Sequence, residues 1–197
     1  MRPDLDVVAA LVGRGLRVLD LGCGDGALLE ELIARRGCSG LGVERDDEGF
    51  HACVARGVPV SHGDLEDELA RTETGSFDCA VLSLTLQATS RPLEVLREMR
   101  RVAPRRVVSL PNFGHWRLRA ALARSGRMPV SPSLPYSWHD TPNIHLCTLR
   151  DFESSVGEIG MRIARRVLLD ASGSPASRLT RLDPNALAVR AVYVLEG

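Results

Sequence analysis

The sequence predicts one α/β domain with a mostly parallel, seven-stranded sheet and helices on both faces. Short apolar runs alternate with segments whose apolar residues recur at helical spacing, which is typical of parallel strands joined by crossover helices. The run at 77–83 is almost entirely apolar, as a strand buried on both faces should be. The 197 residues, of which 44% are hydrophobic and 25% charged, suit a single globular domain over 1–197.

Five predicted strands form the parallel part of the sheet, at 17–21, 41–44, 58–62, 77–83 and 106–110. Pro59 lies inside the third of them and cannot donate a hydrogen bond to a central ladder, so this strand is expected at the edge of the sheet. Two further apolar segments, at 161–169 and 188–195, are joined by a polar stretch that contains Ser, Gly and Pro. They predict a terminal antiparallel hairpin.

Helical patterns fill the intervals between the first five strands. Gly37 is expected to end a helix at 27–36, and Gly57 to end the next one. Pro92 is expected in the first turn of a third helix, where its missing N–H costs nothing. The residues expected to face the core from these three helices are Leu28, Leu29, Leu32, Ile33, Phe50, Cys53, Val54, Leu93, Leu96, Met99 and Val102.

Two further helices are predicted in the second half of the chain. One runs from about 115 to 124, after the fifth strand. Thr148 and Asp151 have the spacing of a capping box, in which each side chain bonds the backbone of the other residue. They predict a last helix that reaches about residue 158.

Net charge and apolar patterning exclude several classes of function. The 25 basic residues balance 25 acidic ones, and all the basic residues are scattered arginines. A protein that binds nucleic acid or a membrane surface would carry a basic excess, so neither partner is expected. No apolar run approaches ~18 residues and the first residues do not resemble a secretory signal, so we expect a cytoplasmic protein.

The cysteines predict neither a disulfide framework nor a metal centre. They are odd in number, widely spaced and without a C-x-x-C pair, which suits a reducing compartment. The candidate metal-ligand pairs are His51 with Cys53 and His145 with Cys147. We expect them instead to be ordinary helix or loop residues, with no bound metal.

A glycine-rich turn is expected where the first strand meets the first helix. The sequence there reads Asp20-Leu-Gly-Cys-Gly-Asp-Gly26. Glycines allow a tight turn and close approach of a ligand to the main chain, and the helix amides that follow favour an anionic group. The spacing fits neither the dinucleotide pattern G-x-G-x-x-G nor the triphosphate loop. A turn of this kind can also be purely structural.

Two acidic residues at neighbouring strand ends favour a ligand site over a structural turn. Glu44 ends the second strand, at the distance from Asp20 where an acid that binds ribose hydroxyls should lie. Asp64 follows the third strand. The carboxyl ends of parallel strands meet at one edge of the sheet, so these three acids are expected beside the same loop. This arrangement predicts a nucleoside-containing cofactor.

The segment at 113–145 is unusually rich in aromatic residues, histidines and prolines, and a long loop of this composition is typically functional. It can be a lid that covers the sheet edge or an interface for a partner. Tryptophan and arginine are the usual anchors of interfaces. The anchors expected here are Trp116, Trp138, Arg117, Arg119 and Arg127. The residues expected to stiffen the segment are Pro129, Pro132, Pro135 and Pro142.

The glycine turn resembles motif I of the class I S-adenosylmethionine-dependent methyltransferases, an acid followed by G-x-G-x-G. The resemblance implies their Rossmann-like fold, with a cofactor-binding part at about 15–110. In that family the loop wraps the methionine portion of the cofactor, the first acid lies near its amino group, and an acid after the third strand contacts the adenine amino group. The cofactor-binding residues expected here are Asp20, Gly22, Cys23, Gly24, Gly26, Glu44, Asp64, Leu65 and Ser83.

Motifs in the second half resemble a narrower family, the methionine biosynthesis proteins MetW. The resemblance begins at 2–5 (RPDL) and extends to at least residue 152, whereas 171–185 matches nothing in that family. It is carried by LQA at 86–88, LPNFGHW at 110–116, GRMP at 126–129, LPY at 134–136, WHDTPNIH at 138–145 and CTLRDF at 147–152.

The MetW resemblance implies two alternative functions. Proteins of this family are held to support homoserine O-acyltransferase in methionine synthesis, which implies a partner of that enzyme that binds S-adenosylmethionine or S-adenosylhomocysteine. The contact segment would be about 113–147. The alternative is an active methyltransferase for a small acceptor, which needs in-line positioning and a general base if the acceptor carries a proton. The candidate bases, among which the sequence does not choose, are His115, Tyr136, His139 and His145.

Two other classes of function lose support. No Asp/Asn-Pro-Pro-Tyr motif follows the fourth strand, where 83–87 reads SLTLQ, which argues against methylation of DNA or of protein amides. A degenerate domain without a cofactor is disfavoured because Asp20, Glu44 and Asp64 are all present.

Overall fold

Seven strands form one sheet in the order β3-β2-β1-β4-β5-β7-β6. The computed structural model describes residues 2–131 and 134–197, so Pro132 lies outside the described residues. The strands are β1 (Arg17–Leu21), β2 (Ser39–Glu44), β3 (Val60–His62), β4 (Cys79–Ser83), β5 (Arg105–Pro111), β6 (Arg162–Leu169) and β7 (Arg190–Glu196). The helices among the described residues are α1 (Pro3–Val12), α2 (Ala27–Arg36), α3 (Asp47–Ala55), α4 (Leu65–Arg71), α5 (Pro92–Val102), α6 (Trp116–Ser125), α7 (Leu149–Glu158) and α8 (Pro184–Leu187).

The strand pairing confirms the predicted topology. Strands β1 to β5 run parallel, and β7 pairs antiparallel with both β5 and β6, which makes the terminal hairpin. The third strand is at the sheet edge as predicted, although it begins at Val60 rather than at residue 58. Pro59 immediately precedes it and only accepts, through a carbonyl that takes the Gly42 amide at 2.9 Å. Its missing N–H is therefore never needed.

Helices cover both faces of the sheet, as predicted, and each face has its own apolar core. On one face α1, α2 and α3 bury residues such as Val8, Leu29 and Cys53. On the other face α4, α5 and α7 bury residues such as Leu69 and Phe152. Because the helices cover the two opposite faces of the sheet, the loops at the carboxyl edge of the parallel strands are left to form a site. No helix in the described ranges is long and apolar enough to cross a membrane.

The predicted helix ends are confirmed where a cap residue or a proline in the sequence indicates them. Gly37 ends α2 in the left-handed conformation with φ 64°, and Pro92 starts α5. Thr148 and Asp151 form the predicted capping box at the start of α7. Each of these signals acts within a few residues, so the rest of the fold does not override it.

Two residues expected in the core are exposed instead. Ile33 is 36% exposed on α2 and Val54 is 55% exposed on α3. The edge strand β3 has only three residues and gives α3 little surface to cover, so Cys53 is the one fully buried residue in that helix. In α2 the buried face is limited to Leu28, Leu29 and Leu32.

Candidate functional site

Two neighbouring cavities lie at the carboxyl edge of β1, β2 and β4. The larger, of about 460 Å³, is lined by Asp20 and the glycine turn and is named the Asp20 cavity. The smaller, of about 170 Å³, is lined by Glu44 and Asp64 and is named the Glu44 cavity. Gly22 and Thr85 line both cavities and form the boundary between them. The structure thus brings the three predicted acids to two cavities that share part of their walls.

The glycine turn between β1 and α2 is packed closely on both sides. Gly22 has φ 70°, and a Cβ there would lie 2.7 Å from the Thr85 Cγ2. Gly26 has φ 75°, and a Cβ there would lie 2.9 Å from the Cys53 Sγ. The Gly22 amide donates to the Val43 carbonyl at 2.8 Å, which joins the turn to β2. Left-handed backbone and lack of space both require glycine at these two positions.

Asp20 is the buried acid of the site. Only 2% of its surface is exposed, and its Oδ1 has no hydrogen-bond partner among the described residues. Burial raises the pKa of its carboxyl to about 7; the nearby charge of Glu44 also raises it, and that of Arg2 lowers it. Buried polar groups are almost always hydrogen-bonded, so an acid left without a partner at a cavity wall marks a position for a cationic or donor group.

Glu44 is held by backbone amides at the end of β2. Its Oε2 accepts from the Gly24 amide at 2.7 Å, and its Oε1 accepts from the amides of Arg45 and Asp46 at 2.9 Å each. These three bonds fix the carboxylate in orientation at the wall of the Glu44 cavity. Besides its expected ligand contact, Glu44 therefore has a structural role that the sequence did not indicate.

Asp64 caps α4. Its Oδ1 accepts from the Glu66 amide at 2.8 Å, and its Oδ2 lies 3.6 Å from the Arg45 Nη1. Leu65 is the first residue of α4 and lines the Glu44 cavity together with Asp64. The cap uses one carboxylate oxygen, and the other lies within ion-pair distance of Arg45.

The end of β4 and the turn after it contribute the predicted Ser83 and two wall residues that the sequence did not reveal, Leu84 and Thr85. Leu84 has φ 56° and is the one non-glycine residue with a positive φ in 2–131 and 134–197. Its amide donates to the Ser109 Oγ at 3.1 Å, and the Ser83 Oγ lies 3.2 Å from the same oxygen. Such backbone is strained and tends to occur at functional sites. Ser83, Leu84 and Thr85 all line the Asp20 cavity.

One end of the 113–147 segment lies at the site, whereas most of it is exposed. The amides of Ile144 and His145 both donate to the Gln87 carbonyl, at 2.8 and 2.9 Å. Pro142 and Ile144 line the Glu44 cavity. Trp138 is 76% exposed and lines neither cavity. The segment thus combines a part that covers the site with a part that faces outward.

The four candidate bases are not gathered around either cavity. His115 is buried and caps α6, with its Nδ1 accepting from the Arg117 amide at 3.3 Å. Burial and the charge of Arg117 lower the pKa of its imidazole. Tyr136 and His139 are exposed, and His145 borders a separate apolar cavity of about 100 Å³.

Cys23 and Cys53 form a pair of thiols beside the glycine turn. Their Sγ atoms are 3.7 Å apart, and Cys53 donates a hydrogen bond to the Gly24 carbonyl at 3.2 Å. Burial is the main reason that the pKa of both thiols is raised, so they are neutral at physiological pH. In the part of the chain that the structure describes, no three His, Cys, Asp or Glu side chains are grouped to hold a metal ion.

A family model and one relative identify the family of the chain. A family model described as methionine biosynthesis protein MetW matches residues 2–195. A bifunctional methionine biosynthesis protein MetXA/MetW from Rhodopirellula baltica is 34% identical over 176 residues, which are 85% of this chain and 28% of that protein. A ubiquinone biosynthesis O-methyltransferase from Hahella chejuensis is 35% identical over 104 residues, which are 50% of this chain and 42% of that protein. The chain therefore spans less than half the length of either relative.

The fold is that of the class I methyltransferases, as the sequence predicted. A crystal structure described as a SAM-dependent methyltransferase from Archaeoglobus fulgidus superposes with a TM-score of 0.68 at 14% identity, covering 98% of this chain and 94% of that chain. An identity this low establishes the architecture, and activity has to be argued from the site.

Proposed function

Because the chain belongs to the MetW family of methionine biosynthesis proteins, we propose that it binds S-adenosylmethionine or S-adenosylhomocysteine and supports a homoserine O-acyltransferase. The observation that carries the cofactor assignment is Asp20, a buried acid whose Oδ1 has no hydrogen-bond partner among the described residues. Its cavity lies next to a second one that is lined by the fixed carboxylate of Glu44. Both ligands have an ammonium group, a ribose and an adenine. The two cavities together offer one acid for each of these three groups: Asp20, Glu44 and Asp64.

The proposed placement follows the order of the cavities. The methionine portion lies in the Asp20 cavity with its ammonium group at Asp20. The ribose hydroxyls donate to Glu44, and the adenine lies in the Glu44 cavity beside Asp64 and Leu65. Gly22 and Thr85, which line both cavities, contact the middle of the ligand. The cavity residues fit a ligand that is charged at one end and flat and polar at the other.

Binding rather than methyl transfer is the proposed role. S-adenosylmethionine supplies an electrophilic methyl group when bound, and the acceptor needs a positioned base if it carries a proton. His115 already accepts a hydrogen bond as the cap of α6, and the other candidate bases lie outside both cavities. Among the described residues, none of the four candidate bases lines the cavities proposed for the ligand, and this arrangement favours binding over methyl transfer.

The partner proposal is supported by the fused relative and by an exposed surface. The relative's name joins MetXA and MetW in one bifunctional protein, so the two functions are held together there. In this chain Trp116 and Trp138 are both at least half exposed, and the Arg117 guanidinium lies 5.5 Å from the Trp116 ring centre. Exposed tryptophans beside arginines are typical interface anchors. We propose that they contact the acyltransferase.

Calorimetry and copurification test this proposed function. The purified chain should bind S-adenosylhomocysteine with one site per chain. Isolation from the native cell should recover a homoserine O-acyltransferase, identified by mass spectrometry. Consumption of S-adenosylmethionine with an extract of cell metabolites would instead favour the transferase. Failure to bind either form of the cofactor would overturn the cofactor assignment.

We also propose a cytoplasmic location. The cysteines of the chain are all free thiols, including Cys23 and Cys53, whose sulfurs lie 3.7 Å apart. A reducing compartment keeps such a pair in this form.

A further inference from the structure

Two cysteines meet where the glycine turn packs against α3. Cys23 is partly buried and lines the Asp20 cavity, whereas Cys53 is fully buried in α3. Their Sγ atoms lie 3.7 Å apart. An S–S bond measures about 2.05 Å, so the two sulfurs need to approach by about 1.7 Å to form one. One thiol is thus open to the cavity, and the other lies directly behind it.

Glycines leave the space that the two sulfurs occupy. A Cβ at Gly26 would lie 2.9 Å from the Cys53 Sγ. A Cβ at Gly42, on β2, would lie 2.5 Å from the Cys23 Sγ. The φ of Gly42 is not positive, so its backbone conformation does not itself require glycine. The lack of space beside the Cys23 sulfur is therefore a reason for glycine at this position.

Cys53 also supports the residue that holds Glu44. The Cys53 thiol donates to the Gly24 carbonyl at 3.2 Å, and the Gly24 amide donates to the Glu44 Oε2 at 2.7 Å. A sulfur in a disulfide has no hydrogen to donate, so oxidation of Cys53 removes its bond to Gly24. The glycine turn lines the Asp20 cavity and Glu44 lines the neighbouring one. A bond between the two sulfurs therefore disturbs the walls of both cavities.

We propose that Cys23 and Cys53 form a reversible disulfide that lowers the affinity for the cofactor and that bound cofactor opposes. The oxidant is a low-molecular-weight disulfide. The Cys23 thiolate attacks it, forms a mixed disulfide and releases one thiol. The Cys53 thiolate then attacks the Cys23 sulfur, which forms the internal disulfide and releases the second thiol. Two electrons and the two cysteine protons thus pass to the oxidant. The effect on the cofactor rests on the proposed function.

The pair is suited to slow exchange with a thiol pool rather than to rapid capture of an oxidant. Burial raises the pKa of both thiols, which keeps the fraction of reactive thiolate small at neutral pH. A ligand in the Asp20 cavity covers Cys23, the thiol that lines this cavity. Disulfides in reducing compartments are usually transient and redox-sensing. The dithiol is therefore the ordinary form, and the disulfide forms when the site is empty and the thiol pool is oxidised.

Peptide mapping without reductant tests the bond itself. After equilibration of the purified chain with glutathione and glutathione disulfide at pH 8, a peptide pair linked through Cys23 and Cys53 is expected, and dithiothreitol should release it. Cys147→Ser removes a partly buried thiol outside the pair and should form the same link. Cys53→Ser should form no link. Absence of the link in the wild type with glutathione disulfide in excess overturns the proposal.

Calorimetry on the two redox forms tests the consequence. The oxidised chain should bind S-adenosylhomocysteine about 3- to 10-fold more weakly than the reduced chain, the range expected when one hydrogen bond is lost. Saturating S-adenosylhomocysteine should favour the dithiol by the same factor and so raise the reduction potential of the pair by about 14–30 mV. Cys53→Ser can still donate to Gly24 through its hydroxyl. It should bind equally well before and after treatment with the oxidant.

The outcomes separate this inference from the proposed function. Equal affinity of the oxidised and reduced wild type overturns the effect on the cofactor. A loss of affinity in oxidant-treated Cys53→Ser as large as in the wild type also overturns it, because the internal bond is then not the cause. If the reduced wild type binds no S-adenosylhomocysteine, the proposed function fails, and the peptide map alone decides whether the disulfide forms.

Discussion

Glu44 accepts a hydrogen bond from the amide of Gly24, with 2.7 Å between Oε2 and N, and so joins the end of β2 to the turn after β1. One carboxylate thus shapes the glycine turn and faces the cavity proposed for the ribose. Any substitution of Glu44 therefore tests both roles at once, and the variants have to separate them.

Glu44→Ala should weaken S-adenosylhomocysteine binding about 10- to 150-fold, since hydrogen bonds to a charged group are worth roughly 1.5–3 kcal/mol. Glu44→Gln keeps an acceptor for the amides and should lose less thermal stability than Glu44→Ala. Glu48→Ala, an exposed acid on α3, is the control and should behave like the wild type. Unchanged affinity in a folded Glu44→Ala variant, measured by calorimetry, would contradict the assignment.

The affinity for S-adenosylhomocysteine should depend on pH through Asp20. The pKa of its carboxyl is raised to about 7 without ligand, and an ammonium group binds the ionised form. The affinity should fall about tenfold for each pH unit below 7. Calorimetry between pH 5.5 and 7.5 checks this, because the pKa of the ligand's amino group lies above this range and the group stays protonated.

Two controls bracket the pH dependence. 5′-Methylthioadenosine has no ammonium group, so its affinity should stay constant over the same range. Asp20→Asn should bind S-adenosylhomocysteine weakly at every pH. A wild-type affinity that is flat from pH 5.5 to 7.5 would be evidence against Asp20 as the ammonium site.

Asp20→Asn should stabilise the ligand-free protein at high pH. The pKa of Asp20 is raised from 3.8 to about 7 in the folded chain, so the folded state is favoured when this group is protonated. That contribution is fully present below about pH 4 and is lost as the pH rises through 7. The free energy of unfolding should therefore be larger for the variant than for the wild type by on the order of 2–4 kcal/mol at pH 8. At pH 4 the two should differ little. Urea unfolding at both values measures it.

Gly22→Ala should destabilise the protein more than Gly24→Ala. Both positions have positive φ, which costs a non-glycine residue roughly 1–2 kcal/mol. Only at Gly22 does the new Cβ also collide with Thr85, and such overpacking costs about 1–3 kcal/mol more. Adding Thr85→Ala should recover part of the loss in urea unfolding. Equal destabilisation at Gly22 and Gly24 would show that the contact with Thr85 does not matter.

Trp138→Ala should cost about 2 kcal/mol or more of association with the acyltransferase and leave cofactor affinity unchanged. Trp138 is exposed and lines neither cavity, so it is a candidate anchor rather than a cover. Ile144→Ala should have the opposite signature, because Ile144 lines the Glu44 cavity. Leu182→Ala, 81% exposed outside the segment, is the control. Lost cofactor affinity with intact association in Trp138→Ala would favour the lid.

The sheet could be predicted because its signals are repeated or local. Alternating apolar runs indicated the parallel strands, and Pro59 indicated the edge. Helix α1 was missed although its buried Leu5, Val8, Ala9 and Val12 have the i, i+3, i+4, i+7 spacing of one helical face. It precedes β1, and the alternation of strands and helices that indicated the other elements begins only there. Helix α4 was missed because seven residues give too short a pattern to recognise.

The site could be predicted only where topology alone brings residues together. Asp20, Glu44 and Asp64 lie at or just after the carboxyl ends of adjacent strands, so their convergence needed no knowledge of side-chain packing. Arg2 reaches the Asp20 cavity through the packing of α1, which no spacing in the sequence encodes. The left-handed backbone at Leu84 has no signal either, because leucine rarely adopts it.

Gln87 connects the turn after β4 with the 113–147 segment. The side-chain Nε2 of Gln87 donates to the Leu84 carbonyl at 2.6 Å. The backbone carbonyl of Gln87 accepts hydrogen bonds from the amides of Ile144 and His145. A wall of the Asp20 cavity and one end of the 113–147 segment therefore meet at a single residue. If a partner on that segment alters the geometry at Gln87, cofactor and partner become thermodynamically linked, and each must change the affinity of the other by the same factor. Cofactor level would then be read out as the strength of a protein complex.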